Sequence, residues 1–181
     1  IYCASFTPAG LAASAEVADG VFPIWLSPQQ GGLIEDHLAP GFARRSDGRT
    51  RADFDVAPTV MVAVGDDVEA CRRPVKEMLA LYVGGMGARD RNFYNRYTRD
   101  MGYEAAAVAI QDLFLAGRRE EAVQAVPDAL VDEIALVGPL ARIRERAASW
   151  KRLGAEGRVG TLILGMRQPE HLGAIAQILL G

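Results

Sequence analysis

Only two cysteines and two histidines occur among the 181 residues, and their placement excludes several kinds of chemistry. Cys3 and Cys71 are far apart in sequence and match no zinc-ligand spacing, so they are expected as free thiols in a reducing compartment, the cytoplasm. His37 and His171 have no partner nearby in sequence, and no Ser-His-Asp order appears, so each reads as a surface residue rather than a base. No apolar run reaches the ~18 residues of a membrane helix, and no charged-then-apolar leader opens the chain, so no membrane partner is expected. Neither sign of charge dominates. The net charge of −3 arises from 20 basic and 23 acidic residues spread along the chain, without the basic stripe of a nucleic-acid binder. Gly31-Gly32 and Gly10 are single breaks, too little for a dinucleotide-binding loop.

Half of the residues are hydrophobic, enough for one domain with a proper core. Four apolar runs read as strands: residues 1–4, 21–26, 59–64 and 159–164. Helical spacing follows each. Pro8 suits a first helical turn, with Leu11, Ala12, Ala15 and Ala18 on one face and Asp19-Gly20 as the stop. Asp66 with Glu69 is a capping-box-like start for a helix lined by Val68, Cys71, Val75, Leu79 and Tyr82. Residues 90–136 read as wholly helical, 28–53 as a variable loop with a weak helical patch at 33–42, and 169–180 as a last helix. Repeated strand–helix units with tight turns imply a parallel sheet. Four such units are half of the eight in a closed (β/α)8 barrel. The chain also opens on a residue other than methionine and inside an apolar run, so a fragment is expected.

Ligands of such barrels sit at the C-terminal ends of the strands, which points to four windows. The first, Ala4, Ser5, Phe6 and Thr7, runs into a helix start. It could hold phosphate through backbone N–H groups and the helix dipole, or could simply cap the helix. In the second, Trp25 could stack on a flat ring or belong to the core, and Leu26 and Ser27 follow it. The third is Gly65-Asp66-Asp67. In the fourth, Arg167 could pair a phosphate or carboxylate, or be a plain surface arginine. Residues 82–95 stand apart, with glycines at 84, 85 and 87 followed by arginines, asparagines and aromatics. This could be a lid with Arg89 or Asn92 facing substrate, or a helix–helix junction sealed by its aromatics.

Residues 82–95 with Gly102-Tyr103, the opening residues 1–8 and 15–20, residues 54–58, 112–117 and 126–138 together resemble the luciferase-like monooxygenase superfamily. The likeness is to its coenzyme F-420-dependent oxidoreductases, in order along nearly the whole chain. The resemblance implies an α/β luciferase-like TIM barrel, of which residues 1–181 supply about strands five to eight and their helices. It implies coenzyme F-420 (a deazaflavin), or alternatively FMN, at the barrel mouth, with hydride passing between the cofactor and an organic substrate. Ala4, Ser5, Phe6 and Thr7 would then lie near the cofactor, and Trp25, Leu26 and Ser27 near its phosphate or the substrate. The family often has glycine where this chain has Thr7. Its usual acid/base residues come from the first strands, so no catalytic residue is assigned, and the 181-residue chain alone is expected not to turn over substrate. A homodimer is implied at full length. An FMN-dependent monooxygenase and a non-catalytic barrel with a binding role stay open as alternatives.

Overall fold

The computed structural model describes the backbone of residues 1–181 and all side chains except those of residues 31 and 33. The chain divides into two compact units, residues 1–64 with 133–181, and residues 65–132.

The first unit holds every strand. β1 (Tyr2–Cys3), β2 (Gly20–Val21) and β3 (Asp55–Val56) form one parallel sheet in that order. β4 (Thr59–Val64) lies between β5 (Ala135–Gly138) and β6 (Ile163–Met166) in a second, also parallel. A bridge from Ile24 to Thr59 and the short step from β3 to β4 join the two sheets along one length of chain. The β-branched run of β4 fits a strand buried in alternation: Val60 and Val62 are in the core, and Thr59 and Met61 only half-buried.

The connections are helical. Between β1 and β2 comes α1 (Pro8–Val17), capped by Thr7, whose hydroxyl accepts from Gly10 N at 3.2 Å. After β2 comes α2 (Gly31–Arg44), which packs along α1. The buried residues Leu11, Ala15, Leu38, Phe54, Val60, Leu136, Ile143, Trp150 and Ile175 belong to one core shared by these helices and both sheets. Arg51 fastens the turn before β3. It donates to both carboxylate oxygens of Glu35 (2.9 and 2.8 Å) and to the carbonyls of Phe54 (2.9 Å) and Arg158 (3.0 Å).

The second unit is helical: α3 (Val68–Gly85), α4 (Phe93–Asp100), α5 (Glu104–Leu115), α6 (Arg119–Gln124) and most of α7 (Asp128–Ile134). Asp67 caps α3, one residue later than the sequence spacing suggested, and its side chain accepts from Ala70 N at 3.0 Å. In the first unit, α8 (Leu140–Ala155) precedes β6, and α9 (Leu172–Leu180) follows a helical turn at Pro169–His171.

Three expectations need correction. Residues 90–136 are not wholly helical, because β5 begins at Ala135 and pairs in register with β4 from Met61↔Ala135 to Val64↔Gly138. Its four residues are all buried, and they continue the apolar spacing of Leu130, Val131 and Ile134, which hides the strand within a helical pattern. The weak helical patch at 33–42 within the segment 28–53 is the longer, 14-residue α2, Gly31–Arg44, with His37 inside it. The strand read at 159–164 is β6, Ile163–Met166. Among the described residues, no helix is long and apolar enough to cross a membrane.

Candidate functional site

The strand ends of the first unit are built by two short loops and one side-chain amide. At the end of β1 the chain turns through Ala4, Ser5 and Phe6 into Thr7 and the first turn of α1. Thr7 serves as the helix cap, so the capping reading of this window holds for its hydroxyl oxygen. The half-buried Ser5 hydroxyl lies over the same turn. A Cβ on Gly10 would sit 2.0 Å from Ser5 Oγ and 2.9 Å from Thr7 Oγ1, so glycine is what lets two hydroxyls crowd this helix start.

The end of β2 is more unusual. Trp25 has a backbone φ of +54°, and among the described residues it is the one non-glycine residue with positive φ. Left-handed backbone is sterically unfavourable for a bulky L-residue and persists where the surroundings hold it. Trp25 and Leu26 are 2% and 4% exposed, so they wall this end with apolar surface. Ser27 is equally buried. Its hydroxyl donates to Glu133 Oε1 at 2.5 Å and accepts from Gln30 N at 3.3 Å, while Gln29 Oε1 lies at 3.3 Å. Glu133 sits in the last turn of α7, directly ahead of β5.

At the end of β6 the two neighbouring residues differ in role. Gln168 folds back on β4, accepting from Val64 N and donating to Val64 O, both at 2.8 Å, as an added strand would. Arg167 is exposed and has no ion pair among the described residues. A cavity of about 350 Å³ lined by Trp150, Val159, Leu162, Leu164 and Leu179 contains none of the candidate residues and is chiefly apolar.

The second unit houses the glycine- and aromatic-rich segment. Gly84 and Gly85 lie against Phe114: a Cβ on Gly84 would fall 2.5 Å from Phe114 Cβ, and one on Gly85 2.4 Å from its ring. Asn92 is buried and caps α4. Its amide donates to the carbonyls of Tyr82 (2.9 Å) and Val83 (3.0 Å), and its oxygen accepts from Asn95 N (3.0 Å). Asn95 continues the seam to the carbonyls of Val83 (3.2 Å) and Ala107 (2.8 Å). Tyr82 and Tyr94 meet edge to face at 4.8 Å, and burial pushes the Tyr94 phenol above its ordinary value. This is the sealed helix junction. Arg89 is largely exposed and paired with Asp112, and the Asp66–Asp67 window supplies the cap of α3. Among the described residues, no group of three or more His, Cys, Asp or Glu is placed to hold a metal ion.

Sequence reasoning missed Glu133, because only the folded chain brings it near its partner, and for the same reason it gave Gln168, inside the fourth window, no role. Ser27 and Glu133 are 106 residues apart.

The family model described as luciferase-like monooxygenase matches residues 1–157. A protein of Mycobacterium tuberculosis named as a coenzyme F420-dependent oxidoreductase is 39% identical over 154 residues, covering 85% of this chain and 44% of its own. The structure of coenzyme F420-dependent tetrahydromethanopterin reductase from Methanopyrus kandleri superposes with a TM-score of 0.72 at 16% identity, over 99% of this chain and 49% of its own. An F420-dependent secondary alcohol dehydrogenase in complex with an F420-acetone adduct gives 0.61 at 11% identity, over 96% and 48%. The chain therefore has the α/β fold of the luciferase-like F-420 enzymes, and it spans about half the length of the relatives it matches.

Proposed function

The chain belongs to the luciferase-like monooxygenase family, and from that premise we propose that the whole protein is an oxidoreductase passing hydride between coenzyme F-420 and an organic substrate. The likeness to the mycobacterial relative carries this reading. The residues at the strand ends suit a flat, phosphate-bearing cofactor. Ser5 and Thr7 offer hydroxyls at a helix N-terminus, where the helix dipole favours an anion. Ala4 adds no bulk beside them, and Phe6 with Trp25 and Leu26 supplies apolar wall. A bound deazaflavin supplies hydride transfer at its C5 carbon.

Each residue has a task in that reading. Thr7 keeps α1 starting at the window while its own O–H stays available as a donor. The buried Trp25 and Leu26 keep water from the β2 end, which strengthens electrostatic interactions there. Arg167, exposed and without an ion-pair partner among the described residues, is assigned to an anionic group of the substrate. Arg89 and Asn92 are already engaged by Asp112 and by backbone carbonyls, so no substrate contact is assigned to them.

The test is the absorption spectrum of the whole protein purified from a host that makes both cofactors. A deazaflavin band is expected. A flavin band would instead indicate an FMN-dependent monooxygenase, and neither band a barrel without redox chemistry.

A further inference from the structure

We infer that Glu133 is a positioning residue for the cofactor wall: through the Ser27 hydroxyl it fixes the loop that holds Trp25 in left-handed backbone. The inference rests on the cofactor reading above and adds to it a residue that touches no ligand itself.

Trp25 lies between two anchors. Upstream, Ile24 bridges to Thr59, and Pro23 O accepts from Thr59 N at 3.4 Å, so the chain up to residue 24 is held by the sheet. Downstream, Ser27 is held by Glu133 at 2.5 Å. A hydroxyl–carboxylate bond is charge-assisted, and such bonds are shorter and stronger than neutral ones. Glu133 is itself rigidly placed, because β5 begins two residues later and pairs along its whole length with β4. The latch therefore ties the β2-end loop to the sheet at a second point. Without it, nothing in the side chain of a tryptophan favours φ of +54°. The loop would relax toward ordinary backbone and turn the indole away from its present seat. Ser27 is 2% exposed and its proton is committed to Glu133, so its contribution to the site is this anchoring.

The experiment uses the whole protein, labelled with fluorotryptophan, the Trp25 resonance being assigned by its loss in Trp25→Phe. Glu133→Ala and Ser27→Ala are expected to shift that resonance and to weaken F-420 binding about tenfold in a fluorescence titration, as loss of one charge-assisted bond implies. The double variant should be no weaker than either single one. Glu133→Gln, which keeps an oxygen to accept from Ser27, should restore the resonance and most of the affinity. An unmoved Trp25 resonance with unchanged affinity in Glu133→Ala would overturn the inference, even if thermal stability fell. Should the unsubstituted protein fail to bind F-420 while Glu133→Ala still shifts Trp25, the cofactor reading fails and the latch survives.

Discussion

Gly41→Ala should destabilise the protein, although the same exchange stabilises most helices. Gly41 lies inside α2, and alanine in an exposed helix interior is favoured over glycine by about 1 kcal/mol. The site is buried, however, where α1 and α2 pack. A Cβ there would stand 2.0 Å from the Ala12 carbonyl oxygen and 2.7 Å from Ala15 Cβ. Neither neighbour is the far end of a flexible side chain, so the two helices must separate by roughly 1 Å, and overpacking of this kind costs about 1–3 kcal/mol. A separation of that size also loses a quarter to a half of the dispersion energy at each contact. The upper end of the range applies, and about 3 less about 1 leaves a net loss of about 2 kcal/mol. Gly32→Ala is the control. It lies in the same helix with nothing within 4 Å of its added carbon, so it should be neutral or stabilising by up to about 1 kcal/mol. Urea unfolding of the three proteins reads the difference in midpoint at constant slope. Gly41→Ala at least as stable as the parent would refute the close-approach argument. Equal losses in both variants would attribute the effect to the helix at large.

Two further outcomes follow from the ion pairs. Arg51→Ala leaves Glu35 and the carbonyls of Phe54 and Arg158 without their shared donor and should cost about 2–3 kcal/mol in urea unfolding. Arg51→Lys should recover little of it, because one ammonium cannot replace a planar fork. Asp128 is held below the ordinary carboxylate range by the hydrogen bond from Lys76 and then by the charges of Lys76 and Arg72. Its folded value lies below its unfolded value of about 4, so its contribution is present above about pH 4 and lost as pH falls through the folded value. Asp128 is half-exposed, so Asp128→Asn should cost under about 1 kcal/mol at neutral pH and flatten the acid decline below about pH 4, read from unfolding midpoints across that range.

The parts of the fold legible in the sequence are those where one local signal suffices. The β-branched run at 59–64 is β4 to the residue, and Pro8 with Thr7 marks the start of α1 as the spacing suggests. β5 was hidden because a four-residue buried strand has too few positions to show a period of two, and its residues extend a helical stripe. The sequence pattern of α2 runs only over 33–42, because Gly31-Gly32 ahead of it reads as a break, glycine being unfavourable in a helix. At the candidate site, the strand-end rule singles out Ser5, Thr7, Trp25, Ser27 and Arg167 without any contact information. It could not find the left-handed turn at Trp25, since tryptophan is not a residue that announces one.

Several polar residues that a sequence reading would give to a ligand are engaged by the protein itself: Thr7 by Gly10, Ser27 by Glu133, and Asn92 by Tyr82 and Val83. This follows from what a strand end or a helix end must do. The last residues of a parallel strand leave backbone groups that need partners, and buried polar side chains with fixed geometry meet that need at little conformational cost. Gln168 does so for Val64, donating and accepting at 2.8 Å at the end of β4. In the proposed reading, what remains for a ligand is the wall these residues hold in place, together with the Ser5 hydroxyl and the Arg167 guanidinium. Substitutions at the holding residues should then act on affinity through shape, and so be rescued by isosteres that keep one hydrogen bond, whereas a substitution at Arg167 should act through charge, and a lysine there keeps the charge but not the fork. That contrast separates residues that build the mouth from residues that read what enters it.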